Sequence, residues 1–431
     1  MAQSANPSTT PAEDEPTHVF APPTEAVSNK FLAVLVIAYL IFYAALLGPA
    51  IVGIGVKVQT IVPPDQKASA LAQVASIGAL CAVLSNVICG RLSDRTTSRL
   101  GRRRIWIVSG TVLMTIGFLI MALGPTVPVV MVGWAVAQLG ANGALAPLVA
   151  SIADQVPSFQ RGGVAAMLGI ALNLGIMGGT YVSKIFVHNM VLLFVAPSII
   201  AIIAMVVYAV VLPDKALPVK PPAASLKEVL GTFWVNPAKH PDFALAWWSK
   251  CLIVMATFMF TTFRLFFMQD RIGLDVAEAA GTVATGVLIY TLVLMPTAFV
   301  AGKLSDKLGR RKIFVAGASV IFGIGTAVLL TVSSVPGFFA VEAILGFSYG
   351  IYVGVDLALV MDVLPNPDDS GKDLGVFNIA NALPQTLAPI AGAALLGIGS
   401  ATNENYHLLL ICAGAAAVIG GLAVLPIKAV R

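Results

Sequence analysis

The residue with the most chemistry to offer is a carboxylate inside an apolar run. Asp356 lies in GIYVGVDLALVMD. If that run crosses a bilayer, the charge costs roughly 2.5–3.5 kcal/mol on insertion scales, which makes it a functional candidate. A lone buried carboxylate can alternate between neutral and charged forms, as proton coupling requires. An Asp paired to a gating Lys or Arg would give the same sequence, so both readings stand. Asp356 precedes Asp362 by six residues, about 9 Å at 1.5 Å per residue. Arg264, in FTTFRLFF, is the second charge of this kind. Snorkelling at the outer edge is its expected role. Pairing with Asp270 or Glu278, or donation to substrate hydroxyls, are the alternatives. Glu342 and Lys184 carry the same ambiguity.

A polyhydroxyl solute needs paired donors and acceptors plus aromatic faces. The candidates are Tyr39, Tyr43, Gln138, Asn142 and Asn173 in the first half of the chain. Tyr290, Tyr349, Tyr352, Asn378, Asn381 and Gln385 supply the second half. Tyr39 and Tyr43 are four apart and share a helix face, as do Asn378 and Asn381 at three apart. An amide facing lipid is costly, so these groups face a cavity or another helix. Four His residues (18, 188, 240, 407) are scattered, and no nucleophile–base spacing or phosphate loop occurs. The chain therefore reads as a non-enzyme with no cofactor and no metal.

These residues must be positioned by membrane helices. The chain has 431 residues, 58% apolar and only 11% charged, with a mean hydropathy of +0.90. Soluble domains carry roughly 25% charged residues. The composition excludes both an ordinary soluble enzyme and a disordered chain. Twelve apolar blocks are long enough to span, near 31–53, 69–90, 104–123, 128–151, 163–186, 191–212, 244–268, 281–302, 312–332, 336–361, 374–397 and 406–427. The fold class is an all-α membrane protein with twelve transmembrane helices in two six-helix halves. With the N-terminus inside, all but five of the 26 Lys and Arg fall on inner segments. The exceptions are Lys57, Lys67, Lys184, Arg264 and Arg271. Both termini are expected to be cytoplasmic. The formal charge of +5 is then topological and calls for no nucleic acid. Cys81, Cys89, Cys251 and Cys412 read as small apolar packing residues.

Residues 1–30 are Pro-, Thr- and Glu-rich, without a basic n-region, and read as a disordered cytoplasmic tail. Residues 31–212 form the first half and 213–243 a linker. In that linker SLKEVLGTFW, with Ser225 and Glu228 as a capping pair, predicts a short amphipathic helix on the inner surface. Residues 244–427 form the second half and 428–431 a cytoplasmic end. Gly48-Pro49 with Gly53 and Gly55 weakens the outer end of span one. Pro384 and Pro389 are expected to interrupt span eleven.

The halves repeat. GRLSDRTTSRLGRRR starts at Gly90 and GKLSDKLGRRK at Gly302, an offset of 212; Asp154 aligns with Asp362 at 208, and Pro213 with Pro426 at 213. The doubled G-x-L-S-D-[RK]-x-G-R-[RK] loop, between spans two and three and again between eight and nine, resembles the signature of the major facilitator superfamily. The resemblance implies two parallel six-helix halves around a central cavity. It also implies a cytoplasmic gate built from Gly90, Asp94, Arg95, Arg102, Arg103, Asp154 and Arg161, with Gly302, Asp306, Arg310, Arg311 and Asp362 in the second half. In such a gate the Asp bonds the partner half in the outward-open state and releases it in the inward-open state. Gly90 and Gly302 are expected to let neighbouring helices approach closely.

The run SDRTTSRLGRRR is also similar to that of plant sucrose carriers and their glycoside–pentoside–hexuronide relatives. So is DLGVFNIANALPQTLAP, through Leu374, Gly375, Asn378, Ala380, Leu383, Pro384 and Gln385. This implies proton-coupled symport of a sugar or glycoside. Where the sucrose carriers have an Arg late in span four, this chain reads LAPLVASIAD, so their proton site does not transfer. Proton-driven export of drugs or other small molecules is the alternative. Exporters carry a Gly-Pro-rich motif in span five, and LGIALNLGIMGGTYV has the glycines without the Pro. The expected partners are a small polar, sugar-like solute, protons and membrane lipid, with the chain a monomer in a bacterial inner membrane.

Overall fold

The computed structural model describes residues 24–214, 236–364 and 370–430. Most of the N-terminal tail and the linker helix expected at Ser225 lie outside the described residues. Among the described residues, twelve apolar helices follow one another in sequence. They are α1 (Asn29–Gln59), α2 (Lys67–Asp94), α3 (Arg104–Leu123), α4 (Val127–Gln155), α5 (Ser158–Ile185) and α6 (Met190–Val211). The second six are α7 (Pro241–Asp270), α8 (Val276–Leu308), α9 (Arg311–Leu329), α10 (Val335–Asp362), α11 (Ser370–Gly397) and α12 (Tyr406–Leu422). The last has 17 residues, about 25 Å at 1.5 Å per residue. The others are long and apolar enough to span alone. Their apolar side chains point outward in bands, as lipid-facing surfaces do: Ile203 and Val210 on α6 are more than half-exposed, 59% and 73%, and Ile199 is 49% exposed. The one just short of half, Ile199, continues the same stripe.

Alternating direction puts the starts of odd-numbered helices at one end of the bundle. That end carries the α2–α3 and α8–α9 loops with their arginines, and is called here the basic face. The opposite end is the far face.

Two elements depart from the sequence expectation. The span α1 continues six residues beyond Gly53, through a π turn at Pro49–Gly53. Pro49 has no N–H to close the ordinary helical bond, and the wider turn absorbs the mismatch. Lys57 made that stretch look like a loop. It is buried, with its ammonium donating to the Ala122 carbonyl at 2.9 Å, one of the free carbonyls at the C-terminal end of α3. Likewise α11 is not interrupted: Pro384 and Pro389 lie inside a continuous helix. Both prolines are buried, so neighbouring helices hold the chain where two backbone bonds are missing.

Within each half, small residues set the packing. Three glycines of α10, Gly346, Gly350 and Gly354, recur every four residues and face the backbone of α8. A Cβ on Gly350 would lie 2.7 Å from the Leu294 carbonyl oxygen and 2.9 Å from the Thr297 Cβ. In lipid, where apolar burial drives nothing, such close backbone approach is a main source of helix association. The close contact also fixes which face of α10 is left for α7. Between the halves, α2 packs on α11 and α5 on α8.

Replacing Gly350 with Val should force α8 and α10 apart at a cost of about 1–3 kcal/mol. Gly317→Ala, on a face of α9 where an added Cβ meets nothing within 4 Å, should be tolerated. Thermal melting of the detergent-solubilised variants reads the difference.

Candidate functional site

The site is built on the face that α10 turns to α7. Asp356 is paired: its Oδ2 lies 2.6 Å from the Lys250 ammonium of α7. The Tyr352 hydroxyl, one turn away, donates to Oδ1 at 2.9 Å. Lys250 also stands over the Phe377 ring of α11, 4.7 Å from its centroid, an attractive cation–π geometry. The pair is only partly enclosed, with side chains 18% and 17% exposed. Asp356 is therefore the paired alternative among the two sequence readings, and the partner is a residue the sequence reading passed over. Lys250 lies close enough to the start of its span to count as one more inner-loop cation.

A second pair joins the same two helices nearer the far face. Arg264 Nε lies 3.2 Å from Glu342 Oε1, with side chains 8% and 0% exposed. The expected snorkelling of Arg264 is thus corrected. The guanidinium does not reach the outer edge, because a carboxylate and the Phe260 ring, 5.6 Å from its carbon, hold it inside. It pairs with neither Asp270 nor Glu278. Asp270 is taken by Lys67 of α2 and by the Tyr406 hydroxyl at 2.7 Å. Lys250 and Arg264 are fourteen residues apart, and so are Glu342 and Asp356. Fourteen residues fall about 40° short of four full turns, so each set occupies one helix face. That matched spacing was the signal available in the sequence. Between the pairs lies a row of tyrosines: the Tyr290 and Tyr349 centroids are 6.3 Å apart, and Tyr349 and Tyr352 are 5.7 Å apart.

The candidates of the first half are more dispersed. Tyr39 and Tyr43 share a face of α1 as expected, with ring centroids 4.7 Å apart. Asn142 is committed to helix packing, donating to the Gln138 carbonyl at 2.9 Å and accepting from Asn86 of α2 at 3.2 Å. Asn173 donates to the Gly169 carbonyl of its own helix at 2.9 Å. On α11, Asn378 is exposed while Asn381 and Gln385 are half-buried. Among the described residues, no hydrogen bond joins the candidates of one half to those of the other.

At the basic face each half closes a guanidinium cluster on itself. Arg103 bonds Asp94 at 2.6 Å, Asp154 at 3.0 Å and the Ser93 hydroxyl at 3.0 Å, while Arg102 pairs with Asp154 at 2.7 Å. In the second half Arg311 pairs with Asp362 at 2.5 Å and with Asp306 at 3.4 Å. Arg104 and Lys312 occupy matching places, donating to carbonyls at the ends of the sixth and twelfth spans, Leu212 for one and Ile427 for the other. Both loops need a glycine in the left-handed region, Gly101 at φ 104° and Gly309 at φ 62°, where other residues are strained. Arg161 donates to the Val156 and Ala153 carbonyls, Arg95 ends α2, and Arg310 is exposed before α9. The expected close approach holds for Gly302, whose added Cβ would lie 3.0 Å from the Gly354 oxygen. It fails for Gly90, where the nearest atom is the Ala146 methyl at an ordinary 3.7 Å.

Among the described residues, the hydrogen bonds and ion pairs between the halves lie at the far face: Lys67 with Asp270, the Asn403 amide with the Asp65 carbonyl, and the Tyr181 and Thr285 hydroxyls at 3.4 Å. Two halves that each close their own basic cluster, tied to one another by polar bonds at one end, are the architecture of a secondary transporter. The sequence profile described as Major Facilitator Superfamily matches residues 31–389 and, in an overlapping second match, 278–430. The chain belongs to that superfamily, and is an integral multi-pass membrane protein rather than an enzyme. It is similar to the nucleoside transporter NupG in a crystal structure (TM-score 0.74, 13% identity, 92% of this chain and 100% of that one). It is 24% identical over 135 residues to the multidrug transporter mfsC of Aspergillus fumigatus, and 31% identical over 107 residues to the probable polyol transporter 6 of Arabidopsis thaliana. Those matches cover 31% and 25% of this chain, and only 26% and 21% of the relatives' lengths.

Lys250→Ala should destabilise the protein more than the double variant Lys250→Ala/Asp356→Ala. The single change leaves a carboxylate in low dielectric without its counter-charge, whereas the double change removes both. Melting temperatures of the two, with Asp356→Ala completing the cycle, check this.

Proposed function

We propose that this protein is a proton-coupled symporter of a small hydroxylated solute, a sugar, glycoside or polyol, working by alternating access. The observation that carries the reading is the Lys250–Asp356–Tyr352 group. It is an ion pair in the membrane domain with side chains still partly open to solvent. Protonation of Asp356 would release the Lys250 ammonium from its carboxylate, so the charge state of one residue changes how α7 is tied to α10. A substrate hydroxyl can take the place of the proton-sensitive bond, and the tyrosine faces beside it offer C–H packing. The similarity to a polyol transporter agrees with a polyhydroxyl substrate.

On this reading the basic face is cytoplasmic, in a bacterial inner membrane, and the chain works as a monomer. The state described is inward-facing. Lys67–Asp270 and its neighbours act as the outer latch. The Asp94 and Asp306 clusters are the released inner gate, each folded back on its own half. Rocking the halves would exchange one set of bonds for the other. Proton-driven export of drugs or other small molecules is the second reading, favoured by the similarity to a multidrug transporter.

In proteoliposomes, one member of a panel of sucrose, methyl β-glucoside and mannitol should drive proton uptake, and Asp356→Asn should abolish that uptake. Proton-driven ethidium extrusion with silence across the panel would overturn symport in favour of export.

A further inference from the structure

The Glu342–Arg264 pair has features that a simple structural tie does not need. Glu342 is fully buried, and neither of its carboxylate oxygens receives a hydrogen bond. Its one compensation is the Arg264 Nε at 3.2 Å, although a carboxylate can accept about four hydrogen bonds. From α8 it faces Tyr290 and packs beside Gly286, with Phe338 one turn earlier on its own helix; from α7 it faces Arg264. At this level α9 meets α10 through Gly325, against Leu345 and Ile344, and brings no charge. Asp356, by contrast, has both oxygens bonded and is partly exposed.

Position adds a second argument. Glu342 is seven residues from Val335 at the far end of α10 and Asp356 is six from Asp362 at the basic end. At 1.5 Å per residue both carboxylates lie about 9–11 Å from their nearer end. Tyr349 is midway between them. One helix face thus carries a carboxylate below each mouth, with tyrosines between, and the upper one lies beneath the closed outer latch.

We propose that Glu342 is a second proton-carrying carboxylate, loaded from the far face when that face opens. A proton from far-face water forms an O–H bond on a Glu342 oxygen and ends its ion pair with Arg264. The guanidinium keeps its position over Phe260. Asp356 lies about 21 Å further along the helix, so water admitted along the tyrosine row carries the proton from Glu342 to the Asp356 carboxylate, which releases it to water at the basic face. One proton crosses, and no bond to substrate is made or broken. Glu342 acts as the entry site and Asp356 as the exit site. The inference rests on the proton-coupled reading above, and its test has a readout that does not need a substrate.

The test is infrared pH-difference spectroscopy of the whole protein in proteoliposomes. The variants are Glu342→Gln, Glu342→Asp, Asp356→Asn and the charge-balanced Arg264→Gln/Glu342→Gln. The wild type should show a protonated-carboxyl band that exchanges slowly with deuterium. Glu342→Gln and the double variant should lose it, Glu342→Asp should shift it, and Asp356→Asn should keep it. The double variant guards against misfolding of the single one. An unchanged band in both Gln variants would overturn the proposal and leave Glu342 an always-ionised tie. So would wild-type proton uptake by Glu342→Gln with whichever of sucrose, methyl β-glucoside or mannitol drives it. Absence of proton movement in the wild type with all three would sink the symport reading instead, while the band still decides whether Glu342 titrates.

Discussion

A charge taken into hydrocarbon must find an opposite charge on a neighbouring helix, and much of this structure follows from that requirement. Helices α7 and α10 carry two cations and two carboxylates into the apolar layer and match them at both levels. The matching fixes the rotation of each helix and its register against the other. It also forces the rest of α10 to specialise. Its glycines must turn to α8, where they permit backbone contact, so that the charged face is left for α7. Tyrosines occupy the stripe between the pairs, where a purely apolar residue would forfeit hydrogen bonding and a charged one would need yet another partner.

The two halves answer the same constraint at the basic face with nearly the same parts. Arg103 and Arg311 each draw an acid from the preceding helix end and one from a later helix end. The copies are not identical, however. Asp214 accepts from the backbone N–H groups of Arg103 and Arg104 at 2.7 and 2.9 Å, capping α3. In the second half Asp242 of α7 instead accepts from Lys428 and Ala429. So the acid that takes up free backbone N–H groups serves a helix start in the first half and the chain beyond α12 in the second, and comes from a different element in each. The first cluster also buries its arginine more deeply, Arg103 at 5% against Arg311 at 23%. On the proposed cycle the two latches would then break with unequal ease.

Much of the fold was legible because hydropathy acts along the chain. Twelve blocks and the repeat at an offset near 210 need no tertiary information. What stayed hidden depends on contacts across helices. Lys57 looked like the end of a span because its partner, the Ala122 carbonyl, is 65 residues away. Arg264 looked like a snorkelling edge residue because Glu342 lies on another helix. Lys250 looked like a loop cation for the same reason. Asn142 was read as a candidate for substrate, yet its amide is used between α2 and α4. A sequence gives the types that can bond, but which of them are already bonded is a property of packing. The matched fourteen-residue spacing on α7 and α10 is the exception, a helix-face pattern present in the sequence itself.

The central claim is that the two ends of this bundle open in turn. Pulsed electron paramagnetic resonance distances test it most directly, with spin labels at Gln66 and Thr402 across the far face and at Thr97 and Lys307 across the basic face. The four native cysteines would be replaced by alanine. At neutral pH the far-face pair should be predominantly short and the basic-face pair predominantly long. Lowering the pH should move the two populations in opposite directions, and Asp356→Asn should remove that response. Distances that stay fixed at both faces, or that lengthen and shorten together, would contradict the account.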